Sequence, residues 1–254
     1  MDKKLGLVES YGTTFRDLIN AKVAVAEEGI RKALKLSKNE DWAFLCSAMD
    51  IIGDACLAID HFLRFGLDGP TKYDDTGERY LRLYGILSAT YIQQQAVLKL
   101  YQLVNVPPTL KDGKKMIETL KIRILRHQLS SHSTNYLDVE SGDIETYVPI
   151  RMDLTGFNCG YFNNKKNKMY SVDLQEAINQ HLETLIEMQD RILKKAIGTF
   201  YKGETASEGH REFSEKLREL QIERHGGLVT KLRDGTKFII TMAPIKDTKQ
   251  TDLK

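Results

Sequence analysis

The residues with the clearest capacity for chemistry fall in one segment, KIRILRHQLSSHSTNY (121–136). Arg126 and His132 stand six positions apart there, with mostly polar or small residues between them. A guanidinium stays protonated at any working pH, and its planar fork can hold two oxygens of a phosphodiester at once. Its charge would also stabilise the extra negative charge of a pentacovalent phosphorane. Imidazole ordinarily titrates near neutrality, so His132 could move a proton to or from an attacking 2′-hydroxyl or a leaving 5′-oxygen. RNA carries that internal nucleophile and DNA does not. The chemistry this pair allows is metal-independent RNA cleavage.

The surroundings add to the pair. Lys111, Lys114, Lys115, Lys121, Arg123 and Arg126 face only Asp112 and Glu118 within 111–126, so the approach to the motif is locally basic. His127, Ser131 and Asn135 supply hydrogen-bonding side chains that would orient the site, with Arg123 and Lys121 as further anion-binding groups. Other chemistries are absent from the sequence. It has no GxxxxGK[ST] phosphate loop, no GxGxxG fingerprint and no GxSxG elbow. No histidine stands four before another and no Glu stands three before a His, which removes HExxH zinc and paired Glu-x-x-His di-iron chemistry. The expectation is a site with no metal and no cofactor.

The elements that would position the motif are mainly helical. Phe15, Leu18, Ile19, Val23, Ala26, Ile30, Ala33 and Leu34 recur at steps of three and four and predict one helix of about 25 residues. Asn39 would cap a second, with Leu45, Met49, Ile52, Cys56, Ile59 and Leu63 as its seam and Gly66 at its end. A third spans about Gly77 to Asn105 before Pro107 and Pro108, and a fourth runs from Lys111 to about Leu129, closing on the motif. Between Glu145 and Val172 the pattern turns to strand residues around an NNKKNK tip (163–168), predicting a β-hairpin or small sheet. Asp173 would then cap a fifth long helix reaching Ile197. The fold class expected is mainly α: an antiparallel long-helix bundle with a small β insertion (about 145–172), occupying 1–203. A short α+β appendix (204–254) would follow, with a charged helix over Glu208–His225, strands at Leu228–Leu232 and Lys237–Met242 around RDGT, and a frayed tail.

Composition bounds the rest. With 254 residues, 41% hydrophobic and 28% charged, the chain is ordinary globular protein, and a net charge of +2 requires any polyanion site to come from local clustering. Three cysteines without CxxC spacing (Cys46, Cys56, Cys159) fit buried thiols in a reducing compartment. The N-terminus lacks an apolar signal core, and the most apolar stretch, Trp42 to Phe65, is broken by Asp50, Asp54, Asp60 and His61. A cytoplasmic protein with no membrane association is expected.

The segment Arg126-His127-Gln128-Leu129-Ser130-Ser131-His132 resembles the Arg-polar-x4-His motif of HEPN domains, the helical RNase modules of prokaryotic toxin–antitoxin, abortive-infection and CRISPR systems. LSATYIQQQAVLKLY (87–101) is similar to the helix that precedes the motif in such proteins, and the likeness covers about residues 10–200. It implies an all-α fold, a homodimer that joins two motifs in one cleft, endoribonuclease activity on RNA, and an antitoxin or defence-system protein as partner. His127 stands where the family most often has Asn or Asp. Plainer accounts stand beside these. Arg126 and His132 could be cations at a helix C-terminus. Lys165, Lys166 and Lys168 could be a solvated turn. Asp50, Asp54, Asp60 and His61 could be a solvent face, and Tyr84, Tyr91, Tyr101 and Gln93-Gln94-Gln95 could be core or dimer surface. The alternative function is a non-catalytic helical protein-interaction or RNA-binding module.

Overall fold

Asp2 opens the first helix, its carboxylate accepting from the amides of Lys4 and Leu5 at 2.9 and 3.1 Å. The computed structural model of the chain describes residues 2–24, 27–71, 75–138, 141–231 and 237–240. The first helix, α1, spans Lys3–Val23, and a short α2 (Glu27–Leu34) follows it. The single helix expected over 15–34 is therefore two helices, with Ala26 outside the described residues. α3 (Glu40–Phe65) and α4 (Thr76–Leu103) match the second and third expected helices closely. Asn39 occupies the cap position of α3 without a side-chain hydrogen bond. Asp75 caps α4 through the Gly77 amide at 2.7 Å.

The expected fourth helix is also divided. α5 (Leu110–Glu118) and α6 (Lys121–Arg126) are separated at Thr119, whose hydroxyl bonds back to the carbonyls of Lys115 and Met116, while Leu120 is extended (ψ 132°). α6 passes into a π-helical turn, His127–Ser131. The bundle's four long members are thus α1, α3, α4 and α7 (Leu174–Phe200), each packed on two of the others. Asp173 caps α7 as the sequence predicts, accepting from Gln175 and Glu176. Leu5, Leu18, Leu45, Ile59, Leu83, Val97, Ile178 and Leu185 are buried between these helices.

Among the described residues α3 is the one helix long and apolar enough to cross a membrane. Its Leu45, Ile52, Cys56 and Ile59 are buried against α1 and α4, as a core helix requires. Cys56 and Cys159 are buried free thiols and Cys46 is half-buried. Gln189 on α7 is also sealed in this core, 4% exposed, with neither amide atom hydrogen-bonded. Its Nε2 lies against α1 at Gly12. An unpaired buried amide is destabilising, whereas leucine has similar volume and nothing to satisfy. Gln189→Leu is expected to raise stability by about 1–2 kcal/mol, roughly 2–6 °C in Tm, measured by thermal denaturation.

The insertion is a three-stranded antiparallel meander, β3 (Tyr147–Thr155), β4 (Asn158–Asn163) and β5 (Lys168–Asp173), preceded by a two-stranded ribbon of β1 (Tyr136–Leu137) and β2 (Ile144–Glu145). The register of β3 shifts between Pro149 and Leu154, where proline offers no ladder donor. Gly66, at φ +58°, ends α3 so close to Gly156 that any Cβ would meet its carbonyl oxygen, and the next amide, Leu67, donates to that oxygen at 2.7 Å. The sheet is thereby fixed to the bundle at the β3–β4 turn. α8 (Glu208–Arg224) packs on α1 and α7 through Phe213, Leu217 and Leu220, and β6 (Leu228–Lys231) pairs with β7 (Lys237–Ile240). The RDGT turn and the tail lie outside the described residues.

Candidate functional site

The π turn decides where the motif's side chains go. His132 N–H donates to the His127 carbonyl at 2.9 Å, an i→i+5 bond that inserts one extra residue per turn. Asn135 N–H then donates to the His132 carbonyl at 3.0 Å, curling the chain back. As a result the His127 and His132 rings stack, centroids 6.0 Å apart and planes 20° apart. A regular α-helix would not bring positions five apart onto one face in this way. The inward side of the same turn is anchored by buried Gln128 and Leu129.

A cleft of about 710 Å³ opens over these rings, lined by Glu118, Arg123, Ile124, His127, His132, Asn135, Tyr136 and Leu137. Four of the residues singled out in the sequence, Arg123, His127, His132 and Asn135, therefore meet in one cavity. Arg126 lies beside it, its guanidinium 3.8 Å from the centroid of the Tyr91 ring, and Arg123 packs on the same ring at 4.3 Å. Tyr91 also meets His127 edge-on. Arg126 is half-buried, its Nε is sealed without an acceptor, and it makes no ion pair or hydrogen bond among the described residues. Ser131 is half-buried at the end of the π turn. Lys121 is exposed and directs its Nζ to the Tyr161 hydroxyl at 3.4 Å, away from the cleft lining.

The two histidines differ in environment. Burial, then the Arg123 and Arg126 guanidiniums and His132, push His127 down to about 4, so its imidazole is neutral at pH 7. Neutral His127 can donate one hydrogen bond and accept another, while the exposed His132 is open to solvent and to any bound ligand.

Behind the cleft runs a polar chain that no motif announces. Arg123 Nη1 donates to Gln94 Oε1 at 3.3 Å, and Gln94 Nε2 lies 3.2 Å from His181 Nδ1. His181 Nε2 lies 2.9 Å from Gln93 Oε1, and Gln93 Nε2 donates to the Ile52 carbonyl and the Cys56 sulfur. Each glutamine amide donates through nitrogen and accepts through oxygen only if His181 carries its proton on Nε2. Complete burial pushes His181 down to about 3 and keeps it neutral. Gln93 and Gln94 are thus core residues that hold an arginine in place.

Tyr136 and Leu137 of β1 line the other side of the cleft, and the meander packs behind them. Tyr147 N–H donates to the Ser133 carbonyl at 2.7 Å, and Tyr136, Tyr147, Tyr161 and Tyr170 form a ladder of ring contacts across β1 and β3–β5. Two of the three hairpin-tip lysines are held in ion pairs, while exposed Lys168 lies 5.3 Å from the Tyr170 ring centroid. Lys165 pairs with Asp143 at 2.8 Å, and Lys166 bridges Asp138 and the fully buried Glu145 at 3.2 and 2.8 Å. Asp50 and Asp60 are likewise engaged, by Arg16 and Arg64, and neither they nor His61 line the cleft.

Burial works to raise the Glu145 carboxyl, but Lys166, the Tyr147 hydroxyl and the Asn163 amide outweigh it and hold it below its ordinary value. A carboxylate held low stabilises the fold above its unfolded value of about 4.5 and loses that contribution as pH falls through its folded value. Glu145→Gln is expected to lower Tm at pH 7, with the difference from wild type closing by pH 3 in calorimetric scans.

No family model matches the chain, no curated protein matches it and no solved structure matches it.

Proposed function

We propose that the protein is a metal-independent endoribonuclease of the HEPN type, cleaving RNA in the cleft over the π turn. The observation that carries this reading is Arg126: a half-buried cation, laid on an aromatic ring beside two stacked imidazoles, with no acceptor among the described residues. A partly desolvated cation without an acceptor is costly, and a bound phosphate is a ligand that would complete it. In this reading His132 takes the proton of the 2′-hydroxyl or returns one to the 5′-oxygen. The 2′-oxygen attacks phosphorus, the P–O5′ bond breaks, and a 2′,3′-cyclic phosphate and a 5′-hydroxyl remain. Arg126 and Arg123 stabilise the phosphorane. Neutral His127, with Asn135 and Ser131, orients the phosphate oxygens.

A homodimer is part of the proposal. Leu81, 73% exposed, lines a largely apolar groove between α3 and α4 that a second copy would cover. Leu81→Asp is expected to shift the sedimentation of a dimer to that of a monomer.

The test is RNA cleavage with EDTA present. Wild type should give cyclic-phosphate ends and His132→Ala should give none. Equal cleavage by both proteins would sink the assignment, as would retention of cleavage when the scissile nucleotide is 2′-deoxy.

A second reading, a non-catalytic module that binds an antitoxin or defence-system protein, is favoured by the outer face of the insertion. Val148, Met152 and Met169, with Ile144 on the ribbon, are exposed apolar side chains there. That reading predicts a complex lost in Met152→Asp/Met169→Asp and untouched by His132→Ala.

A further inference from the structure

A second cavity lies at the opposite end of α5 from the cleft. It measures about 420 Å³ and is lined by Val106, Pro107, Arg191, Lys194, Lys195 and Gly198. Three of its six lining residues are cations and none is a carboxylate. Arg191 is engaged by Glu187, but Lys194 and Lys195 are exposed and make no ion pair among the described residues. α5 joins the two cavities: the chain leaves Val106 and Pro107 into its first turn, and its last residue, Glu118, lines the cleft. The helix is about 13 Å long.

The orientation of α5 is fixed by its inner face. Gly113 is so close to α4 and α7 that a Cβ there would sit 3.4 Å from the Tyr101 ring and 3.5 Å from the Met188 methyl, and Ile117 is buried beside it. Lys111, Lys114 and Lys115 are left on the outer side, exposed and without ion pairs among the described residues. The carboxylates along this path are few. Asp112 is held by the Thr109 hydroxyl at 2.6 Å, Glu187 by Arg191, and Glu118 stands at the cleft mouth. Three exposed ammonium groups on α5 thus lie between the cleft and a cavity that carries two more, on a chain whose net charge is only +2.

We infer that α5 and the Arg191–Lys195 cavity form a track for the phosphate backbone of a single RNA strand leaving the cleft, with Lys111, Lys114, Lys115, Lys194 and Lys195 as its contacts. The inference takes its ligand from the reading above and adds where the strand goes. Lysine suits such a path because an ammonium meets phosphate as a point charge without demanding a fixed geometry. A backbone track of this kind raises affinity for long strands without regard to sequence, and its strength falls steeply with salt.

The test separates track from chemistry by strand length. Non-cleavable 2′-O-methyl RNA of three and of twelve nucleotides is titrated by fluorescence anisotropy at several salt concentrations. Wild type is expected to bind the twelve-mer more tightly, with a steep log K against log salt slope. Lys194→Gln/Lys195→Gln should reduce that slope by about 1.4 units, and adding Lys111→Gln, Lys114→Gln and Lys115→Gln by about 3.5 in total. Binding and cleavage of an unmodified three-mer should be unchanged in both variants. A twelve-mer bound no better than the three-mer, or equally well by the fivefold variant, overturns the track even if cleavage is intact. Lysine-dependent binding of the twelve-mer without any cleavage leaves the track standing and removes the nuclease reading instead.

Discussion

Arg126→Lys is expected to lower single-turnover RNA cleavage by about 10²–10³-fold, although the charge is kept. The Arg126 guanidinium lies 3.8 Å from the Tyr91 ring centroid, and its Nε is sealed without an acceptor. The ring supports the guanidinium, and in the proposed reaction its terminal nitrogens would meet two phosphate oxygens together. An ammonium on a four-carbon stem has neither the plane to stack nor the paired donors, so it would meet the transition state as a mobile point charge. The same logic separates positioning from charge at Tyr91. Tyr91→Leu removes the platform of both Arg123 and Arg126 and is expected to reduce cleavage while leaving both charges present. Cleavage by Arg126→Lys within twofold of wild type would show that the guanidinium's shape does not matter and that the site only needs positive charge. Circular dichroism of both variants keeps a folding defect from being read as a catalytic one.

How much of this was legible in the sequence depends on the distance over which each feature is encoded. The long helices α3, α4 and α7 and the strand insertion follow local periodicity and caps, so Asp173 and the NNKKNK turn stand where the residues place them. The division of the first expected helix into α1 and α2, and of the fourth at Thr119, falls in runs whose apolar spacing continues, and spacing alone carries no sign of a helix end. The motif itself was visible, but its geometry was not. A regular helix end sets Arg126 and His132 in different directions from those produced by the π turn, and an i→i+5 bond leaves no compositional trace.

The cleft walls were legible only in part. Arg123, His127, His132 and Asn135 sit in the motif segment, whereas Tyr91 on α4 and His181 on α7 reach the site through packing between helices far apart in the chain. Conversely, Lys165 and Lys166 show no partner in the local sequence because Asp138, Asp143 and Glu145 lie on or beside a different ribbon. The three consecutive glutamines show the same limit within one helix turn. Gln93 and Gln94 are fully buried and hydrogen-bonded, while Gln95 is exposed.

The other large effect belongs to that buried chain. His181→Leu is expected to destabilise the protein by about 2–5 kcal/mol near pH 7.5, because it strands Gln93 Oε1 and Gln94 Nε2 in the core with no acceptor or donor left to them. Each orphaned group costs about 1–3 kcal/mol, and leucine fills the volume without meeting either need. The effect should shrink in acid. In the wild type, burial pushes His181 down to about 3, whereas the unfolded chain's imidazole titrates near 6.5. The neutral buried ring is fully compatible with folding above the unfolded value. Below it the unfolded state takes up a proton the folded state refuses, and wild-type stability falls by up to about 1.4 kcal/mol per pH unit until the folded value is reached. His181→Leu lacks that titration, so urea midpoints for the two proteins should converge between pH 7 and pH 4. Parallel pH profiles, or a loss below about 1 kcal/mol at pH 7.5, would mean that the two glutamines find other partners and that His181 does not hold the chain from Cys56 to Arg123 together.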